Sequence, residues 1–122
     1  VKAIGISVYG DESVLERWDV TVPVPGTSDL LVRVAFAGIN FMDVHTRQGK
    51  YEGSTTYPLH LPLTLGMEGA GTVVAVGVDV TDVAVGDRVA WCLSWGSYAE
   101  FAVVPLRRIV KVPSHVDLDL AA

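Results

Sequence analysis

The sequence predicts a mainly β domain of short strands, interrupted by one short helix near residues 40–48. Three observations carry that expectation. Roughly one residue in six is valine, whose branched Cβ favours extended backbone. The apolar runs are short and separated by turn formers, among them Gly10-Asp11 and the cluster Pro23, Pro25 and Gly26. Leu30–Ile39 alternates with period two, with Leu30, Val32, Val34 and Phe36 on one face and Leu31, Arg33, Ala35 and Ala37 on the other.

The elements follow in order. Lys2–Val8 is a short apolar strand ending at the Gly-Asp turn. Leu15–Val22 contains Trp18 and stops at the proline cluster. After Leu30–Ile39, Asn40–Gln48 has helical spacing at Phe41, Val44 and His45, and Gly49 ends it. Residues 50–65 form a long connection with Pro58 and Pro62, of the kind that often carries function. Thr72–Val80 places Val74, Val76, Val78 and Val80 on one face and Val73, Ala75, Gly77 and Asp79 on the other. Asp87–Cys92 and Tyr98–Val104 are strands around a Leu93–Ser97 turn, and Arg108–Val112 is a last strand before Pro113. Asp117–Ala122 begins a second helix, with Ser114 or Asp117 as its cap. About one turn of it is present, too little to be stable alone, so the chain reads as cut within a longer one. Strands this short are expected to close as a barrel, which removes their open edges.

Composition narrows the function. At 122 residues the chain suits one domain, and 50% hydrophobic with 19% charged residues marks a folded one. The net charge is −5, and the nine basic residues are scattered, with only Arg107 and Arg108 adjacent. Nucleic acid is therefore not expected as a partner, because phosphate tracking needs clustered cations. No apolar run reaches membrane-spanning length, and VKAIGISVYG lacks the features of a signal peptide, so no membrane partner and a cytoplasmic location are expected. Cys92 is the single cysteine, which rules out an intrachain disulfide and a cysteine-rich zinc site. His45, His60 and His115 lack the close spacing of metal ligands.

Several residues admit both a structural and a chemical reading. Asn40 is a good helix N-cap, and Asp43 three places on completes a capping box. The same corner, a helix start at a strand end, also presents a fixed polar side chain to whatever binds there. Tyr51 is either a packed loop aromatic or a donor to a carbonyl oxygen gaining charge. GMEGAG, residues 66–71, imitates a phosphate loop, yet a strand rather than a helix follows it. Gly66, Gly69 and Gly71 are expected to allow a tight start to the strand or a close backbone approach. Glu68 among them is either solvated or turned into a site. Asp87 and Arg88 read as turn and surface residues, and Ser97 lacks a hydrolase context.

Four segments in register, VRVAFAGINFMDVHTRQGKY, PLTLGMEGAGTVVAVGVDV, VGDRVAW and GSYAEFAVVP, resemble the N-terminal half of the medium-chain dehydrogenase/reductase superfamily. Within it they are similar to the quinone oxidoreductase (zeta-crystallin-like) branch. The resemblance covers essentially the whole chain. It implies a GroES-like, partly open β-barrel as the catalytic domain over 1–113, with 114–122 starting the helix that leads toward a cofactor-binding Rossmann domain. It also implies NADPH, held mainly by that further domain, a quinone or enone as acceptor, and a homodimeric enzyme. Zinc-dependent members carry Cys where this chain has Asn40 and His where it has Met67, so a zinc-independent reductase is implied. By the same resemblance Asn40, Asp43, His45, Tyr51 and Glu68 surround the nicotinamide end of the cofactor. Asn40 and Tyr51 are the catalytic candidates, Asp43 braces the corner, and Arg47, four residues on along the helix, has the spacing to join it. A Tyr often stands in the family where this chain has His45. An enoyl reductase of the same superfamily and a non-catalytic GroES-like interaction module are the alternative readings.

Overall fold

The computed structural model describes residues 1–122. Strands form where the period-two pattern predicts them, and they assemble into two antiparallel sheets. One is built from β1 (Lys2–Ile6), β2 (Glu16–Asp19) and β4 (Leu63–Thr64), in the order β2-β1-β4. The other contains β3 (Asp29–Ala37), β5 (Glu68–Val76), β6 (Arg88–Cys92), β7 (Phe101–Pro105) and β8 (Ile109–Lys111), in the order β7-β3-β5-β6-β8. The helices are α1 (Phe41–Arg47) and α2 (Leu118–Ala121).

The core lies on one face of the larger sheet. Leu30 and Val32 from β3, Val73 from β5, Val89 and Trp91 from β6, and Ala102 and Val104 from β7 pack together, with Val83 covering them from a loop. The sheets do not close into one continuous barrel. Residues 98–100 join them instead. Ile4 N–H donates to Tyr98 C=O at 2.8 Å, Glu100 N–H to Lys2 C=O at 3.0 Å, and Val34 N–H to Glu100 C=O at 2.9 Å. This short segment satisfies backbone groups of β1 and β3 that a further strand would otherwise have to meet. The result is the mainly β, partly open architecture that the GroES-like resemblance implies.

Some sequence expectations shift. The strand expected at Leu15–Val22 is limited to Glu16–Asp19. The one expected at Thr72–Val80 starts earlier, at Glu68, and stops at Val76. There the chain bends, as Gly77 N–H bonds Asp29 C=O and Asp79 N–H bonds Thr27 C=O. The strict alternation across the valines therefore fails. Val73 is the core residue and Val78 is exposed. A register shift between Leu31 and Val32, and another between Val34 and Phe36, also break the period along β3. Phe36, expected on one face with Leu30 and Val32, is consequently half-exposed where they are buried. The strands flanking the Leu93–Ser97 turn do not pair with each other. β6 pairs with β5 and β8, while β7 pairs with β3. Asp117, rather than Ser114, takes the N-cap position of α2 without a side-chain bond, and α2 lies against β3, β5 and β6.

Candidate active site

The corner begins where β3 ends. Gly38 N–H bonds Glu68 C=O at 3.1 Å, which brings the start of β5 against the end of β3. A Cβ on Gly38 would fall 2.2 Å from the Glu68 carboxylate, so a larger residue would push that side chain off its present path. Glu68 uses the space to accept a hydrogen bond from Asn40 Nδ2 at 2.9 Å. Asn40 is extended, with φ −133° and ψ 156°, and caps α1. The Asp43 carboxylate completes the capping box by accepting from Asn40 N–H at 3.0 Å. The cap position of Asn40 leaves its amide free for a second contact. The residue starts the helix, and its amide is tied across the corner to Glu68.

Asp43 is buried, at 4% exposure, and its second partner is Tyr98, whose hydroxyl donates to Asp43 Oδ2 at 2.7 Å. Asp43 Oδ1 is buried with no partner. Burial pushes the Tyr98 phenol well above its usual range, and the bond to the Asp43 carboxylate pushes it the same way. Tyr98 is therefore a constant donor at any ordinary pH. The expected pairing of Asp43 with Arg47 does not form. Arg47 turns the other way and donates to Gly10 C=O at 2.7 Å, while Gly10 N–H bonds Arg47 C=O. That exchange ties the end of α1 to the loop after β1 and leaves Asp43 to Tyr98.

Of the residues singled out in the sequence, Asn40, Asp43 and Glu68 come together. His45 is half-buried on α1, and its backbone C=O accepts from Lys50 N–H. Tyr51 lies in the turn after the helix, where its ring meets Tyr57 edge-on, with centroids 5.5 Å apart. It makes no hydrogen bond to Asn40, Asp43 or Glu68. Tyr98 went unnoticed in the sequence because it stands 55 residues from Asp43, beyond the reach of any spacing rule. The one available signal was a hydroxyl-bearing ring at a strand start beside Ser97, which the structure buries at 1% exposure.

One cleft adjoins the corner and a second lies beyond it. The first, of about 240 Å³, is lined by Leu15, Ile39, Val44 and Leu65 together with Asn40, Asp43, Arg47 and Tyr98. The other, of about 370 Å³, lies between the 55–58 segment and the Leu93–Trp95 turn, with Met67 in its wall and Arg107 and Arg108 at its edge. Leu93 holds φ +58°, the left-handed region that L residues seldom adopt. No three His, Cys, Asp or Glu side chains gather as a metal-holding group. Ile39 and Phe41, on either side of Asn40, are 86% and 82% exposed, so the corner opens onto a bare apolar surface.

A family model for the alcohol dehydrogenase GroES-like domain matches residues 26–114. The chain belongs to this family. Several of the proteins it resembles are named quinone oxidoreductases. A quinone oxidoreductase of Pseudomonas aeruginosa is 39% identical over 122 residues, covering 99% of this chain and 36% of that protein. The solved structure of Escherichia coli quinone oxidoreductase complexed with NADPH superimposes with a TM-score of 0.91 at 30% identity, over 99% of this chain and 36% of the other. The CurK enoyl reductase is also similar in structure, with a TM-score of 0.83 at 26% identity, over 97% of this chain and 37% of the other. The GroES-like domain thus spans little more than a third of the relatives it matches. No helix in it is long and apolar enough to cross a membrane.

Proposed function

We propose that this domain is the acceptor-binding half of a zinc-independent, NADPH-dependent reductase of quinones or other conjugated carbonyls, cytoplasmic and homodimeric as a whole enzyme. The observation that carries the reading is the Asn40 amide, held by Glu68 at 2.9 Å in the mouth of an exposed apolar corner. A flat conjugated ring suits such a place, since its faces need apolar cover and its oxygen needs a fixed donor. The residues present fit one end of a dinucleotide. Asn40, Ile39 and Phe41 can flank a nicotinamide, while no glycine loop opens a helix that could take the pyrophosphate.

When bound, NADPH supplies the hydride. The chain's own side chains orient the acceptor and meet the charge that grows on its oxygen. Asn40 stands as the fixed donor. Tyr51 and His45, after and on α1, border the acceptor, with Tyr51 a second donor. Asp43 keeps the helix start in place, and Glu68 keeps the amide in place. The segment 57–65 walls the acceptor side. Residues 1–113 form the catalytic domain and 114–122 lead toward the cofactor domain.

In the enzyme carrying both halves, Asn40→Ala and Tyr51→Phe are expected to slow quinone-dependent NADPH oxidation. Unchanged rates in both would remove these roles. The isolated chain is expected to bind no NADPH by calorimetry, and tight binding would overturn the division of labour. The likeness to an enoyl reductase supports a second reading, reduction of an enoyl thioester at the same corner. Assaying quinones against enoyl thioesters separates the two.

A further inference from the structure

Asn40 can face a substrate in two ways, through its carbonyl oxygen or through its N–H. The surroundings choose between them. Its oxygen side faces the Asp43 N–H at the start of α1, although that N–H is bonded to the Asn40 backbone C=O and the side chain makes no full cap hydrogen bond. Its nitrogen side is taken by the Glu68 carboxylate, which accepts and cannot donate when ionised. A flipped amide would set two acceptors against each other and face the helix N–H groups with another donor. One N–H of the amide remains, on an exposed residue. We infer that Glu68 is a positioning residue that makes Asn40 a donor only, so that the free N–H meets the acceptor oxygen as hydride addition charges it. Tyr98 serves the same end through Asp43, whose carboxylate also accepts from the Asn40 backbone N–H.

This rests on the reductase reading above and specifies how its leading residue works. The ground state of the acceptor has little charge on oxygen, so a donor here acts mainly on kcat and little on KM. The effect of Glu68 on the acceptor passes wholly through Asn40.

The test uses the enzyme that carries this domain with its cofactor domain. Asn40→Ala is expected to lower kcat by about 100-fold, the scale of a lost oxyanion donor. Glu68→Ala is expected to lower kcat about tenfold alone, and less than about twofold when Asn40 is already Ala. The decisive variant is the exchange of Asn40→Asp with Glu68→Gln. It rebuilds the bridge with donor and acceptor swapped, and so keeps the corner folded, as an unchanged melting temperature would verify. At position 40 it leaves only a carboxylate oxygen to face the acceptor, so kcat is expected to stay low. Recovery of kcat in the exchange variant would overturn the inference, as would additive losses in the Asn40→Ala, Glu68→Ala pair. A wild-type rate in Asn40→Ala would instead remove the parent reading, so the two failures are distinguishable.

Discussion

Replacing Tyr98 by Phe deletes one oxygen and tests how the corner is held. The hydroxyl donates to Asp43 Oδ2 at 2.7 Å, and the same oxygen accepts from Asn40 N–H at 3.0 Å. Asp43 Oδ1 already has no partner, so the variant leaves the carboxylate with one protein bond in place of two. At 4% exposure, water does not readily replace the lost donor. A hydrogen bond to a charged group is worth about 1.5–3 kcal/mol, so the expected loss is about 2 kcal/mol. For a domain of this size that lowers the melting temperature by about 8 °C. Thermal and urea unfolding of the isolated domain measure it. The sign of the pH dependence follows from the raised Tyr98 pKa. The contribution is complete below the ordinary phenol value near 10 and falls as pH rises beyond it, because the unfolded chain ionises first. Wild type is therefore expected to lose stability above about pH 10 more steeply than Tyr98→Phe. A loss under about 0.5 kcal/mol, with parallel alkaline limbs, would refute the account of Asp43 as a buried acceptor that depends on Tyr98.

Other changes probe the frame. Gly66→Ala is expected to destabilise by about 2–4 kcal/mol, because Gly66 has φ +91° and a Cβ there would lie 2.1 Å from Ser97 Oγ; a chemical unfolding curve within error of wild type would contradict that crowding. Val32→Ala, at a fully buried site in β3, is expected to cost about 2–3 kcal/mol in the same assay. Arg47→Ala is expected to loosen the Gly10 tie, raising amide exchange in the 9–11 loop while leaving Tyr98 protected. The bare corner is expected to make the isolated domain self-associate as concentration rises, seen by light scattering, and Ile39→Ser to reduce it.

Much of this domain is written in local sequence. Strand positions follow from alternation and turn residues, since side chains in extended backbone point to opposite faces at every step. The helix start at Asn40 follows from capping chemistry acting over three residues, and the glycine run 66–71 declares tight backbone by its composition. Strand limits are less legible, because Val78 and Phe36 depend on where register shifts fall, and those are set by neighbouring strands. Membership of the GroES-like family was legible too, through four segments in register.

Tertiary structure alone decided what the corner is made of. Asn40 and Glu68 meet across 28 residues because β5 pairs with β3, and Asp43 and Tyr98 meet across 55 because residues 98–100 lie between the two sheets. Arg47 had the local spacing to reach Asp43, yet it bonds Gly10, because a carbonyl on the adjoining loop offers its guanidinium an acceptor. Local rules rank the partners a side chain can reach along its own helix. Only the packed chain determines which groups from elsewhere arrive first.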